Sequence, residues 1–152
     1  MRNILLLLVL VSCCSIAGAQ SANPKYDKVL ADSLGGDDYG MKMYILVILK
    51  TGPNTIADKT VLDSLFKGHM ENIGHLAANG KLIVAGPLGK NDKTYRGIFI
   101  LNVKTIEEAN TLLETDPTIK NKVLAAELFN WYGSAALPTY LPNHRKIEKV
   151  QL

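Results

Sequence analysis

One histidine stands out because of where its spacing places it. At 100° per residue, the apolar residues of the segment 58–79 fall within about 40° of one direction, and His69 lies at the centre of that stripe. A histidine directed at an apolar interior needs a partner for its ring nitrogens. A nearby carboxylate would make it a general acid or base near neutral pH, whereas a backbone group would make it a structural residue. The spacing alone leaves both interpretations open.

The carboxylate considered as its partner is Asp92, in the polar loop from Leu88 to Tyr95. This loop precedes the third predicted strand, at a place where a side chain can reach back over the end of the first helix. In a Gly-Lys-Asn-Asp sequence, an aspartate more often forms an Asx-turn. Asp92 is therefore either the partner of His69 or a residue that forms a turn.

A second charged side chain, Glu127, is placed in the middle of a predicted strand, between Ala125 and Phe129 on one face. A carboxylate at such a position either lines a cavity or pairs with a cation. Arg96 and Tyr44 are the partners that we consider for it. We therefore take Tyr44, Arg96 and Glu127 as candidate substrate-binding residues.

Motifs for other kinds of chemistry are missing from the sequence. There is no His-x-x-x-His and no carboxylate cluster with ligand spacing, so we predict no metal site. Phosphate-binding loops and nucleophile motifs are absent as well. We predict no cofactor.

The elements that must position these residues follow from hydrophobic patterning. The order is β-α-β-β-α-β, which is typical of an α+β, ferredoxin-like fold with one antiparallel sheet and two helices on one face. The predicted strands are MKMYILVILK (41–50), KLIVAGP (81–87), RGIFILNV (96–103) and VLAAELFNWY (123–132), and the predicted helices are 58–79 and a second one that starts at the capping box Thr105 to Glu108.

The first strand predicts a partner for the sheet. Its side chains are apolar on both faces, at the even positions 44–48 and at the odd positions 45–49. Helices would cover one face and leave the other bare, and an exposed apolar face of that size favours association. We therefore expect a homodimer formed through the uncovered face.

The N-terminus predicts export. Residues 1–19 contain one arginine, an apolar run and the small residues Ala17-Gly18-Ala19, the pattern of a secretory signal. Cleavage before Gln20 would give a periplasmic or extracellular bacterial protein without cysteine, because both cysteines lie in the signal. The alternative is a lipobox ending at Cys13, which would anchor the protein through a lipid on that residue. After signal cleavage we expect no insertion into a membrane.

The rest of the chain is long enough for one domain. We predict a signal peptide at 1–19, a flexible arm at 20–40, the domain at 41–135 and a tail at 136–152. Hydrophobic residues make up 47% of the 152 residues and charged residues 20%, so a real core can form. The formal net charge of +3 is too small for a nucleic-acid-binding protein.

The run GHMENIGHLAANGKLIVAGPLGKNDKTYRGIFILNVKTIEEANTLLETDPTIKNKVLAAELFNWY resembles the YciI-like (YCII-related) domain family. The resemblance rests on the helix histidine, the Ala-Gly-Pro strand end, the loop aspartate, Gly-Ile-Phe, Glu-Glu-Ala, Asp-Pro and the closing aromatic strand. It implies a dimeric α+β barrel with a pocket between helix and sheet. It also implies a catalytic His-Asp pair, which maps onto His69 and Asp92. Through other members of this fold, the resemblance also implies proton transfer on a small ring or carbonyl compound.

Two functions of different classes follow from these observations. The first is an exported isomerase or lyase in which His69 and Asp92 transfer a proton on a small apolar or aromatic molecule. The alternative is a dimeric protein that binds such a molecule without any chemistry. Haem binding, with His69 as the axial ligand, has no second signal in the sequence. The sequence does not decide whether the protein is an enzyme.

Overall fold

The computed structural model describes residues 23–149, and the structural statements below refer to that part of the chain. The predicted order β-α-β-β-α-β is present from Met41 to Ser134. In chain order, the elements are α1 (Lys28–Leu34), β1 (Met41–Thr51), α2 (Lys59–Ala78), β2 (Leu82–Pro87), β3 (Tyr95–Leu101), α3 (Ile106–Leu113), α4 (Pro117–Lys120), β4 (Leu124–Ser134), a 3-10 helix (Leu137–Tyr140) and α5 (Leu141–Ile147).

The four strands form one antiparallel sheet in the order β2-β3-β1-β4. β1 is an inner strand, and its side chains belong to a buried apolar cluster on each face of the sheet. Val47 of β1 lies opposite Phe99 of β3 and Leu128 of β4. This strand order, with helices against the sheet, confirms the predicted α+β, ferredoxin-like fold.

The main core lies between the sheet and the helices α2 and α3. The odd-numbered residues 45–49 of β1 are buried in it, together with Leu76 of α2 and Leu113 of α3. Both helices have capped N-termini: Asp58 accepts hydrogen bonds from backbone N–H groups of the first turn of α2, and the Thr105 hydroxyl accepts one from the Glu108 N–H at 3.1 Å. These caps fix where each helix begins.

The opposite face of the sheet is partly covered, by a segment that we expected to be only a tail. Leu137 of the 3-10 helix and Leu141 of α5 pack against a second buried cluster formed by Tyr44, Ile83 and Ile100. The two leucines are four residues apart and so share one side of the segment. Beyond this cover Phe129 of β4 remains 47% exposed, so part of the face is open.

The segment before β1 contains a helix that the sequence analysis did not predict. Asp27 caps α1 by accepting a hydrogen bond from the Leu30 N–H at 2.9 Å, and Gly35, with φ 71°, ends it. The Tyr132 hydroxyl donates a hydrogen bond to Asp37, which ties this segment to β4. That bond raises the pKa of Tyr132 to about 12. The predicted signal, with Cys13 and Gln20, lies outside the described residues.

Within residues 23–149, every helix is too short or too polar to cross a membrane.

Candidate functional site

His69 lies in the middle of α2 and faces the sheet, as the helical spacing predicts. It is 8% exposed. Its ring stacks on Phe99 of β3 with 5.9 Å between centroids, and the Phe66 ring meets it edge-on at 6.1 Å. These contacts hold the ring against the sheet, and its polar contacts are made by Nδ1.

The partner at Nδ1 is Asp116, the residue before α4. Its Oδ2 lies 2.6 Å from His69 Nδ1. Its Oδ1 accepts hydrogen bonds from the Thr118 backbone N–H at 2.9 Å and from the Thr118 hydroxyl at 2.6 Å. Both Asp116 and Thr118 are fully buried. One carboxylate therefore caps the first turn of α4 and orients the histidine ring.

The hydrogen bonds determine the charge of Asp116. Burial raises the pKa of Asp116, but the hydrogen bonds from His69 and Thr118 together lower it by more, so its pKa lies below the ordinary value of 3.8. Asp116 is therefore ionised at neutral pH, and His69 Nδ1 carries a proton and donates it. In the neutral ring, Nε2 is then left with its lone pair and can accept a proton.

A close approach between α2 and α4 brings the pair together. A Cβ atom on Gly68 would stand 2.7 Å from the Pro117 Cγ atom, which is too short for a van der Waals contact. Gly68 precedes His69, and Pro117 follows Asp116. Because position 68 has no side chain, the backbones that carry the two partners can come this close.

A cavity of about 580 Å³ lies beside His69. Its walls come from α2, β2, β3 and the C-terminal segment, and most lining residues are apolar, such as Phe66, Ile73 and Phe99. Among residues 23–149, no buried side-chain nitrogen or oxygen lacks a partner, and the polar contacts of His69 go through Nδ1. The Nε2 atom is therefore not sealed in the protein, and His69 is one of the residues that line the cavity.

The structure pairs His69 with Asp116, which corrects the expected contact with Asp92. Asp92 is exposed, lies in a turn and lines neither of the two described cavities. The same turn is held by Asn91, whose side chain accepts a hydrogen bond from the Tyr95 N–H at 3.1 Å. The Asn91 side chain also donates hydrogen bonds to the Gly89 and Tyr95 carbonyls, so the loop is closed on itself. The surroundings of Asp92 therefore fit the structural alternative, an aspartate in a turn.

Two of the three candidate substrate-binding residues are engaged elsewhere. The buried Tyr44 hydroxyl donates to the Ser134 carbonyl at 2.9 Å, and Glu127 pairs with Lys50 instead of Arg96 or Tyr44. Neither residue lines the cavity beside His69, whereas Arg96 does. The pairing of Glu127 with a cation is the second of the two alternatives that its mid-strand position left open.

Arg96 reaches this cavity through an irregularity in the sheet. Leu49 of β1 lies opposite Gly97, but the next residue, Lys50, lies opposite Tyr95. Arg96 is thus an extra residue in β3, and such bulges redirect side chains next to functional sites. Sequence alternation alone cannot locate a bulge, because the shift depends on the partner strand.

Sequence reasoning missed Asp116, Tyr140 and His144, of which the last two line the cavity. For Asp116 a signal existed: an aspartate followed by proline is typical of the first turn of a helix. The sequence analysis considered only Asp92 as the carboxylate partner of His69. For the two residues of the C-terminal segment, no motif in the sequence indicated a contact with the cavity.

The described residues contain no group of three or more His, Cys, Asp or Glu side chains that could hold a metal ion. What the site offers is a histidine with one oriented nitrogen and one accessible nitrogen, beside an apolar cavity. That arrangement can accept a proton from a bound molecule and return it.

Two of three comparisons with known proteins found a match. Among solved structures, the chain is similar to 5-chloro-2-hydroxyhydroquinone dehydrochlorinase (TftG) from Burkholderia phenoliruptrix AC1100, determined in complex with 2,5-dihydroxybenzoquinone. The identity is 24%, the match covers 58% of this chain and 92% of that one, and the TM-score is 0.43. A comparison with curated proteins found no match. The family model of the YCII-related domain matches residues 43–131, more than half of the chain. The protein therefore belongs to the YCII-related domain family.

Proposed function

We propose that the protein is an exported small-molecule enzyme, an isomerase or lyase, in which His69 moves a proton and Asp116 orients it. The observation that supports this most is the 2.6 Å contact between His69 Nδ1 and Asp116 Oδ2 beside an apolar cavity. Membership of the YCII-related family agrees with a small-molecule function. The cavity volume is in the range that holds small organic ligands.

In the proposed step, His69 Nε2 takes a proton from a C–H or O–H group of the bound molecule. The ring becomes an imidazolium, and the ionised Asp116 stabilises its positive charge. In an isomerase the proton returns to a different atom of the same molecule. In a lyase the electron pair left behind expels a leaving group, and the imidazolium protonates that group. Asp116 contacts His69 and Thr118 and does not line the cavity, so it is a positioning residue.

The surroundings of the pair favour this step. Phe66 and Phe99 flank the His69 ring, and Asp116 is fully buried. In apolar surroundings the attraction between a carboxylate and an imidazolium is stronger than in water. The site therefore stabilises the charge that forms on His69 when it accepts the proton.

Exchange of hydrogen for deuterium tests this proposal without knowledge of the natural substrate. The probe is 2-tetralone, an apolar aromatic ketone with acidic C–H groups, incubated with the protein in D2O and analysed by mass spectrometry. We expect the protein to incorporate deuterium faster than buffer does. The variants His69→Gln and Asp116→Asn should lose most of this acceleration, and Asp92→Asn, the matched control, should keep it. If Asp92→Asn loses as much as Asp116→Asn, the assignment of Asp116 is wrong.

The second candidate function is binding without chemistry. The mostly apolar lining of the cavity favours this function, because such a surface binds an apolar molecule without any reaction. A binding protein would bind 2-tetralone, measured by calorimetry, while the exchange rate stays at that of buffer. His69→Gln would then change neither quantity by much.

A further inference from the structure

The C-terminal segment forms part of the cavity wall, although it lies outside the matched family region 43–131. Tyr140, Leu141 and His144 all line the cavity. The Tyr140 hydroxyl donates a hydrogen bond to the Ile83 carbonyl of β2, and Leu141 packs against the buried cluster of the sheet. These contacts attach the segment to the sheet, so its residues have fixed positions next to the ligand space.

The lining of this cavity contains basic residues and no carboxylate. Its lining residues include no Asp, Glu or Lys, whereas they include Arg96 and His144 in addition to His69. Within residues 23–149, no carboxylate lies within ion-pair distance of Arg96. Glu148 Oε2 lies 4.0 Å from His144 Nε2, at the limit of an ion pair. The cavity therefore offers cationic and N–H groups on an apolar background.

We propose that the C-terminal segment 137–147 completes the ligand site and that Arg96 and His144 bind an anionic oxygen group of an otherwise apolar ligand. This inference rests on the same cavity as the proposed function, but it requires no proton transfer. Arg96 is always charged and presents several N–H donors, which suits an anionic oxygen. His144 lies one turn after Tyr140, with 6.4 Å between the two ring centroids, and supplies a further N–H donor.

Such an arrangement determines specificity. A ligand that lacks the anionic group would not form the charge-assisted hydrogen bonds to Arg96 and His144, so it would bind more weakly. The C-terminal segment would thus select among molecules of similar size and shape by their charge.

A matched pair of probes tests this proposal: 2-naphthoate, which carries a carboxylate, and 2-naphthalenemethanol, which is neutral. Calorimetry at neutral pH should show that the whole protein binds 2-naphthoate about tenfold more tightly, the difference expected for a charge-assisted hydrogen bond. Arg96→Gln should remove most of this preference, and Lys93→Gln, a control in the neighbouring turn, should keep it. Equal binding of the two probes, or no binding of 2-naphthoate, would overturn the proposal.

A second pair of variants tests the contribution of α5. His144→Ala should weaken 2-naphthoate binding by about threefold or more, while Arg145→Ala, on the same helix but outside the cavity lining, should change it by less than twofold. Both side chains are on exposed residues, so the fold should remain, which thermal melting checks. If the two variants behave alike, α5 does not contribute to the site.

The two proposals can fail separately. A preference for 2-naphthoate in the His69→Gln variant, without deuterium exchange in the parent protein, would leave the anion site in place and remove the catalytic role. Deuterium exchange into 2-tetralone without any preference for 2-naphthoate would support the catalytic role of His69 and rule out the anion site.

Discussion

Asp116 has two structural tasks, since its carboxylate holds His69 through one oxygen and caps α4 through the other. Asp116→Asn should therefore lower the free energy of unfolding by about 1–3 kcal/mol, because a buried charge-assisted hydrogen bond is lost. The melting temperature should fall by several degrees. The exposed Asp92→Asn should change stability by less than about 0.5 kcal/mol. Equal melting temperatures for the two variants would contradict the buried role of Asp116.

The lowered pKa of Asp116 predicts how stability depends on pH. Because the pKa is lower in the folded state than in the unfolded chain, the carboxylate contributes stability above its ordinary value of 3.8. That contribution is lost as the pH falls through the folded-state pKa. Melting curves between pH 7 and pH 2.5 should show a difference between the parent protein and Asp116→Asn that shrinks towards the acid end. A difference that stays constant over this range would contradict the pKa shift.

At the scale of residues, the sequence predicted the histidine but not its carboxylate partner. The inward position of His69 follows from helical periodicity, which is a local property of α2. The partner lies 47 residues away in sequence and depends on how α4 docks against α2. The sequence analysis proposed Asp92, in a predicted loop, as the partner of His69. Asp92 instead lies in a turn, and turn formation is also a local property. Contacts between distant elements could not be derived from spacing.

The docking of α4 against α2 gives a prediction at the scale of elements. Gly68→Ala would place a Cβ atom 2.7 Å from Pro117, so α4 must shift and the contact between His69 and Asp116 should lengthen. We expect lower stability and slower 2-tetralone exchange. Gly74→Ala, in the same helix with nothing within 4 Å, should instead stabilise the protein by about 0.5–1 kcal/mol.

The outcome that would contradict this is a Gly68→Ala variant as stable and as active as Gly74→Ala. Thermal melting and the exchange assay measure both quantities on the same preparations.

Long, strongly patterned elements were predictable, and short ones were not. β1, α2 and the other strands were placed within a few residues, because their apolar patterns extend over at least one face. The helices α1, α4 and α5 are at most seven residues long, and α1 and α5 contain no buried residue, so they show no extended apolar pattern. Their positions depend on contacts such as the packing of Leu141 on the sheet, which no local pattern encodes.

At the scale of the whole molecule, we propose that two copies associate through the part of the sheet that the C-terminal segment leaves open. Phe129 is 47% exposed there. Light scattering should give about twice the mass of one chain, and Phe129→Asp should give monomers, because a carboxylate in the interface would lack a partner. Val29→Asp, at a residue of α1 that is 80% exposed, is the control and should remain dimeric. A monomeric parent protein would contradict the proposal.

Export is a second proposal at this scale. If the predicted signal is functional, the protein recovered outside the cytoplasm should begin at Gln20, as intact-mass measurement would show. A lipid on Cys13 would instead establish the alternative cleavage site. An uncleaved chain retained in the cytoplasm would contradict export.

The bond from Tyr140 to Ile83 has a consequence for solubility. β2 is an outer strand of the sheet, and outer strands present backbone groups that can pair with strands of other molecules. Tyr140 occupies one such carbonyl, α5 lies beside it, and the strand is short and ends at Pro87. The segment that walls the cavity therefore also protects β2 from adding a foreign strand. A chain that lost this segment would be prone to aggregate along β2.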